Sequence, residues 1–172
     1  MWMLDKICQA RGVFIPPVPP PPRHPKTTPR VNDSDFQSRL DRLHADIVAQ
    51  GDRVLEQATL AFDAYFDHDQ DLARRATAIE PEVDRVDVEI ERRSIPLLAL
   101  GQTDEYAIRS VLTIVKINNE FERIGDNANA IAEATLDPRR VGSSLPDTFR
   151  VMANSVLGML RESNRATARR DA

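Results

Sequence analysis

Four carboxylates in this sequence stand in matched pairs. "EPEVD" sets Glu80 and Asp84 four residues apart, and "ERIGD" does the same for Glu122 and Asp126. On a helix that spacing stacks both side chains on one face. The first acid of each pair directly follows an apolar seam position, Ile79 or Phe121, so both pairs fall at the edge of a buried stripe. Asp87 and Glu91 extend the first file; Asn118 or Asn119, Asn129 and Glu133 extend the second. Like charges at this spacing destabilise a helix by about 0.2–0.5 kcal/mol per pair, and partial burial adds a desolvation cost. Arg85, Arg92, Arg109 and Arg123 are close enough in sequence to offset that charge; a bound cation would offset it better. Carboxylates are hard oxygen ligands, suited to iron, manganese, magnesium, calcium or zinc. The expectation is a metal site on Glu80, Asp84, Glu122 and Asp126, with Asp87, Asn119 and Asn129 as weaker contributors. Gly125, inside "ERIGD", leaves room beside it for a second helix or a metal-bound water.

Other chemistries lack their residues. A ferritin-like di-iron centre needs two Glu-x-x-His elements, and Asp41 with His44 is the nearest approach. The sequence holds no glycine-rich phosphate loop, nucleophile triad or Cys/His zinc spacing. No catalytic residue is expected, and no enzyme.

Helices must position the two acid pairs, and residues 33 to about 136 read as three long ones. "NDSDFQ" opens the first, with Asp33 or Ser34 as cap. Apolar residues then recur at Phe36, Leu40, Leu43, Ile47, Val54, Ala58, Ala61 and Tyr65, close to a seven-residue repeat. "DHDQD" at 67–71 is the turn into the second helix. That helix runs on to Leu100, with Leu72, Ala76, Ile79, Val83, Val86, Ile90 and Leu97 on its seam. Pro81 and Pro96 lie inside its pattern; each removes one backbone bond and should kink it. Gly101 stops it and Thr103 caps the third helix, whose seam is Ile114, Ile117, Phe121, Ile124, Ala128 and Ile131. "DPRRVGSSLPD" ends the third helix, and a fourth starts near Pro146, placed as a first-turn proline. Short connections make the helices antiparallel neighbours. The expected fold class is all-α: an up-down three-helix bundle, spectrin-like, with a fourth helix after it.

Ahead of the bundle, residues 16–30 hold eight of the twelve prolines, so residues 1–32 are expected to be an extended polyproline leader or linker. The leader is basic: residues 1–31 carry +4, so the rest of the chain, of net charge −4 overall, carries −8. An acidic body argues against a nucleic-acid groove and fits cation binding or a basic partner. With Cys8 the sole cysteine, no intrachain disulfide can form, which a reducing, cytoplasmic compartment allows. The start lacks the continuous apolar core of a secretion signal, and no apolar run approaches a membrane span. Any membrane contact is expected to be peripheral.

"VLTIVKINNEFERIGDNANAIAE" resembles the core motif of the PhoU family of phosphate-uptake regulators. Glu122, Arg123, Ile124, Gly125 and Asp126 match its Glu-Arg-Ile-Gly-Asp element, and Lys116-Ile117 the stretch before it. Arg109 lies where the family's Asp-Leu-Arg arginine belongs, although Ala107 replaces the aspartate. "VDRVDVEIE" resembles the first acidic element, and "LLALGQTDEYAIR" the connection between the two helices. Ala130 departs from the usual asparagine, with Asn129 before it, and Pro81 interrupts the Glu80–Asp84 frame. The resemblance covers about residues 35–136. It implies a three-helix bundle (33–136) of a family that carries two in tandem, with metal clusters on the acid-x-x-x-Asp motifs in some members. On that view 145–172 is the first helix of a second copy, and "VLEQATLAFDAYFDHD" (54–69) can be laid over 156–171 as a faint repeat. The resemblance also implies a dimeric cytoplasmic regulator that links a phosphate ABC transporter to a sensor histidine kinase and represses phosphate-starvation signalling. A phosphate-cotransporter cytoplasmic domain and a metal-free helical scaffold are the alternatives. The apolar face of the fourth helix (Phe149, Val156, Leu160) leads to the expectation of a homo-oligomer.

Overall fold

In the first helix, α1 (Val31–Asp67), residues Phe36, Leu40, Leu43, Ile47, Gln50, Val54, Gln57, Ala61 and Ala64 are all buried, at alternating steps of four and three. A second long helix, Glu105–Leu136, repeats the rhythm through Ala107, Val111, Ile114, Asn118, Phe121, Gly125, Ala128, Ala132 and Thr135. This is the seam of a left-handed bundle, in which each buried side chain seats between neighbours of the facing helix. The computed structural model describes residues 31–99, 105–137, 139 and 146–170. Its helices are α1 (Val31–Asp67), α2 (Gln70–Thr77), α3 (Glu80–Ala99), α4 (Glu105–Leu136) and α5 (Asp147–Arg169), and no strand occurs among the described residues. α1 packs against each of the other four, and α4 also packs against α2 and α3. Alanines 58, 61, 64, 73, 76, 107, 128 and 132 line much of the core. Such short side chains let the helix axes approach closely. Leu43, Ile47, Ile90 and Leu97 supply the bulk, each worth about 1.5–3 kcal/mol of hydrophobic burial.

The expected second helix is two helices. α2 ends at Thr77, and Ala78 and Ile79 form a turn before α3 begins at Glu80. Pro81 is the cause: without an N–H it cannot bond back to Thr77, so the ladder stops and restarts. The Ile79 carbonyl then accepts from Glu82 N (3.0 Å) and Val83 N (3.2 Å), which starts the new first turn. Pro81 therefore sits where a missing amide costs least, whereas Pro96 lies inside α3. At the α1–α2 turn, Asp69 caps α2 by accepting from Asp71 N (2.8 Å) and Leu72 N (3.1 Å), and His68 takes a positive φ of 55°. The predicted "DHDQD" turn is thus in place. α1 starts at Val31, ahead of the expected cap at Asp33 or Ser34. Pro146 precedes the first turn of α5 as its cap residue. The proline-rich leader, the Gly101 stop and the Thr103 cap lie outside the described residues.

α5 runs antiparallel along α1. Arg150 pairs with Asp67 (2.7 Å) at one end and Arg170 with Asp41 (2.6 Å) at the other, while His44 Nε2 meets the Thr167 carbonyl at 2.8 Å. Ala153, Leu157, Leu160 and Asn164 form its buried stripe. Leu160 therefore belongs to the inward face, not to the exposed one expected for it. No helix of the described residues is long and apolar enough to cross a membrane.

Candidate functional site

The α3–α4 pair carries the acid files, and buried amides fix its register. Asn118, 1% exposed on α4, donates from Nδ2 to the Asp87 backbone carbonyl (3.1 Å) and to Asp87 Oδ1 (2.6 Å). One turn pair away, Glu80 on α3 meets Asp126 on α4. The helices are thus antiparallel, with Glu80, Asp84 and Asp87 facing Asp126 and Glu122. The first acid of each pair, Glu80 and Glu122, is half-buried, and the second, Asp84 and Asp126, is exposed. That is the seam-edge position expected from the spacing. Asn119 is exposed, and Asn118 takes the inner place expected for it. Asn129 is half-buried, reaches Glu133 at 3.4 Å, and leaves its Oδ1 buried without a partner.

The crowding shows in the ionisation of these groups. Burial raises the pKa of Glu80 above its ordinary 4.5; the Gln57 amide opposes the rise, and Asp126 and Asp84 add to it. Glu122 is raised by burial and then by Asp126, Asp87 and Asp84, with Arg123 weakly opposing. Asp87 is raised by burial, Glu91 and Asp84. In all three, burial is the largest cause and neighbouring carboxylates add to it.

The arginines that could neutralise these acids are engaged elsewhere. Arg85 pairs with Glu82 at 2.8 Å, Arg92 with Glu89 at 3.1 Å, Arg109 with Glu105 at 2.5 Å and Arg123 with Glu120 at 3.3 Å. None of the ion pairs among the described residues includes Glu80, Asp84, Asp87, Glu122 or Asp126. The arrangement can attract a hard cation: it offers an all-oxygen donor set with surplus negative charge. Gln57 and Asn118, which bond to Glu80 and Asp87, also leave their buried Oε1 and Oδ1 without hydrogen-bond partners. Among the described residues no three His, Cys, Asp or Glu side chains converge closely enough to hold an ion as they stand. Carboxylates without a counter-charge repel one another, and a cation would draw them together. The residue types fit a metal, and the site is gathered but not closed.

A third helix also reaches the site. Gln57, on the α1 seam and 0% exposed, donates from Nε2 to Glu80 Oε2. It does so beside Gly125, where an added Cβ would lie 3.1 Å from Val83 Cγ1, 3.2 Å from Gln57 Oε1 and 3.8 Å from Glu80 Oε2. Gln57 is not among the residues expected from sequence. The available signal was the seam rhythm itself, which puts a glutamine at 50 and 57 where an apolar residue belongs.

The PhoU domain family model matches residues 47–135. The chain is 30% identical over 102 residues to the phosphate-specific transport system accessory protein PhoU of Edwardsiella tarda, covering 59% of this chain and 42% of that protein. It is 27% identical over 139 residues to the PhoU homolog of Pseudomonas aeruginosa (80% and 57%). With the homolog of Clostridium acetobutylicum the identity is 30% over 132 residues (74% and 59%). The chain thus spans about half the length of these curated relatives. No solved structure gives a significant match. The matched segment runs from α1 to α4 and covers about half of the chain: this chain belongs to the PhoU family.

Proposed function

We propose that this chain is a PhoU-like regulator of phosphate transport and phosphate-starvation signalling, acting in the cytoplasm by protein–protein contact and binding metal on its acid files. The relatives' names, accessory proteins of the phosphate-specific transport system, support the first part. A phosphate ABC transporter and a sensor histidine kinase are the partners that this reading implies. Glu80, Asp84, Glu122 and Asp126 would hold iron, zinc or manganese, with Asp87 and Asn129 beside them. The ion would act as a structural counter-charge that fixes α3 against α4. One observation carries the metal reading: Arg85, Arg92, Arg109 and Arg123 each pair with a carboxylate outside the file, so the file has no ion-paired arginine among them. That same observation disfavours the metal-free scaffold, which needs those arginines on the file.

Elemental analysis of the purified protein beside an Asp84→Asn/Asp126→Asn variant tests it. The expected result is stoichiometric metal in the wild type, lost in the variant while the far-UV circular dichroism stays helical. Equal metal content in both proteins would remove these residues from the site.

A further inference from the structure

Two glutamines occupy seam positions of α1, seven residues apart and both 0% exposed. They are satisfied differently. Gln50 donates to the Val83 carbonyl at 2.8 Å, and its Oε1 accepts from Arg53 at 2.6 Å, so both ends of the amide are used within the bundle. Gln57 has one bond, to the Glu80 carboxylate, and its Oε1 is buried without a partner. An amide buried in this way costs free energy that a leucine or methionine at the same seam position would not. Within the bundle the one bond to Glu80 is set against the buried, unpaired Oε1, so Gln57 contributes little to the packing itself. What Gln57 does supply is a donor fixed in the core and aimed at one acid of the file. Only the Nε2 end can hold a carboxylate; turned over, the amide would set two oxygens against each other. Gly125 lies against this amide: an added Cβ would come within 3.2 Å of Gln57 Oε1 and 3.8 Å of Glu80 Oε2.

We propose that Gln57 is a positioning residue of the acid site: its amide, lying against Gly125, holds Glu80 in the orientation from which it binds a cation. The site is then built by three helices, with α1 supplying the support and α3 and α4 the charge. Outer hydrogen bonds of this kind orient ligands and commonly change metal affinity by about 10–100-fold when removed. This inference rests on the metal reading above, and its test separates the two.

Full-length wild type, Gln57→Met, Gly125→Ala and, as control, Gln50→Met are stripped of metal and titrated with Mn2+, Zn2+ and Fe2+ in turn by calorimetry. Each metal-free protein is also melted. Methionine keeps the volume of glutamine and removes the amide; alanine at 125 keeps the amide and crowds it. Gln57→Met is expected to weaken binding by about 10–100-fold with a metal-free melting temperature near that of the wild type, because removing an amide with a buried unpaired oxygen offsets the lost bond to half-buried Glu80. Gly125→Ala should weaken binding in the same direction. Gln50→Met, which leaves Arg53 and the Val83 carbonyl without their partner, should lower the melting temperature and leave the affinity unchanged. Wild-type affinity in Gln57→Met and Gly125→Ala overturns the positioning role and leaves the metal reading standing. Binding of none of the three ions by the wild type overturns both.

Discussion

Glu80 is the residue on which charge, burial and hydrogen bonding meet. Its carboxyl titrates above the ordinary 4.5 in the folded chain, chiefly through burial, and Glu122 and Asp87 behave alike. The folded metal-free protein therefore holds protons that the unfolded chain has already released. Stability from these groups is full below the unfolded pKa and is lost as pH rises through the folded one. Metal-free protein is thus expected to melt higher as pH falls from about 7 towards about 5, and Glu80→Gln should flatten that slope. The lowered carboxyls, exposed Asp41 and half-buried Glu82 and Glu89, are held down by arginine partners and lose their contribution only at lower pH. With metal bound the slope should reverse, because protons then compete with the ion. Thermal melts across that range, with and without Mn2+, check both signs; a metal-free melting temperature that falls on acidification would remove the crowded-acid description. Glu80, Asp84, Glu122 and Asp126 were legible in the sequence because an i,i+4 pair beside a seam residue can point only one way. Gln57 was not, because a glutamine between apolar positions looks like a surface residue until the full register, 50, 54, 57, 61, is laid over α1.

Each helix contact has a side chain that decides how close the partner comes, and at Gly51 the answer is hydrogen. Gly51 is buried on α1 between α4 and α5, and a Cβ there would collide with the Asn164 amide and the Phe121 ring. Asn164 is itself 4% exposed and donates to the Val48 carbonyl (3.3 Å) and to Asp52 Oδ1 (2.7 Å). Gly51→Ala is therefore expected to cost about 1–3 kcal/mol despite alanine's better helix propensity. Gly158→Ala on α5 meets nothing within 4 Å and should instead stabilise by up to about 1 kcal/mol. Urea unfolding of the two variants reads the difference in sign; a stabilised Gly51→Ala would mean that α5 does not pack as described. The same close contact explains what was and was not legible at this scale. The helices themselves followed from their seams. The break between α2 and α3 did not, because Ala76, Ile79 and Val83 keep helical spacing straight across it, and Pro81 is as compatible with a first turn as with a kink.

Among the described residues of the whole bundle, one apolar stripe of α5 stays exposed. Phe149, Met152, Val156 and Met159 are 43%, 60%, 44% and 64% exposed, and they follow one another at steps of three, four and three. That is the narrow seam of a helix–helix contact, not a scatter of surface residues. It lies beside the inward stripe of Ala153, Leu157 and Leu160, so α5 presents a second face while the first is held by α1. Along this seam the flanking positions are Thr148, Ser155 and Glu162, so in an antiparallel pair of copies each Glu162 lies towards the uncharged Thr148 end of the other and like charges are not opposed. Homo-oligomerisation through α5 is the expected outcome. Sedimentation velocity should show association that grows with concentration in the micromolar range. Met152→Glu/Met159→Glu should shift the protein to monomer without loss of helicity, since both residues already face solvent in the single chain. A wild type that stays monomeric throughout would mean that a second copy is not what covers the stripe. A double variant that still associates would place the contact on another face, with the exposed Ile95, Leu98, Ile108 and Leu112 of the α3–α4 pair the next to be substituted.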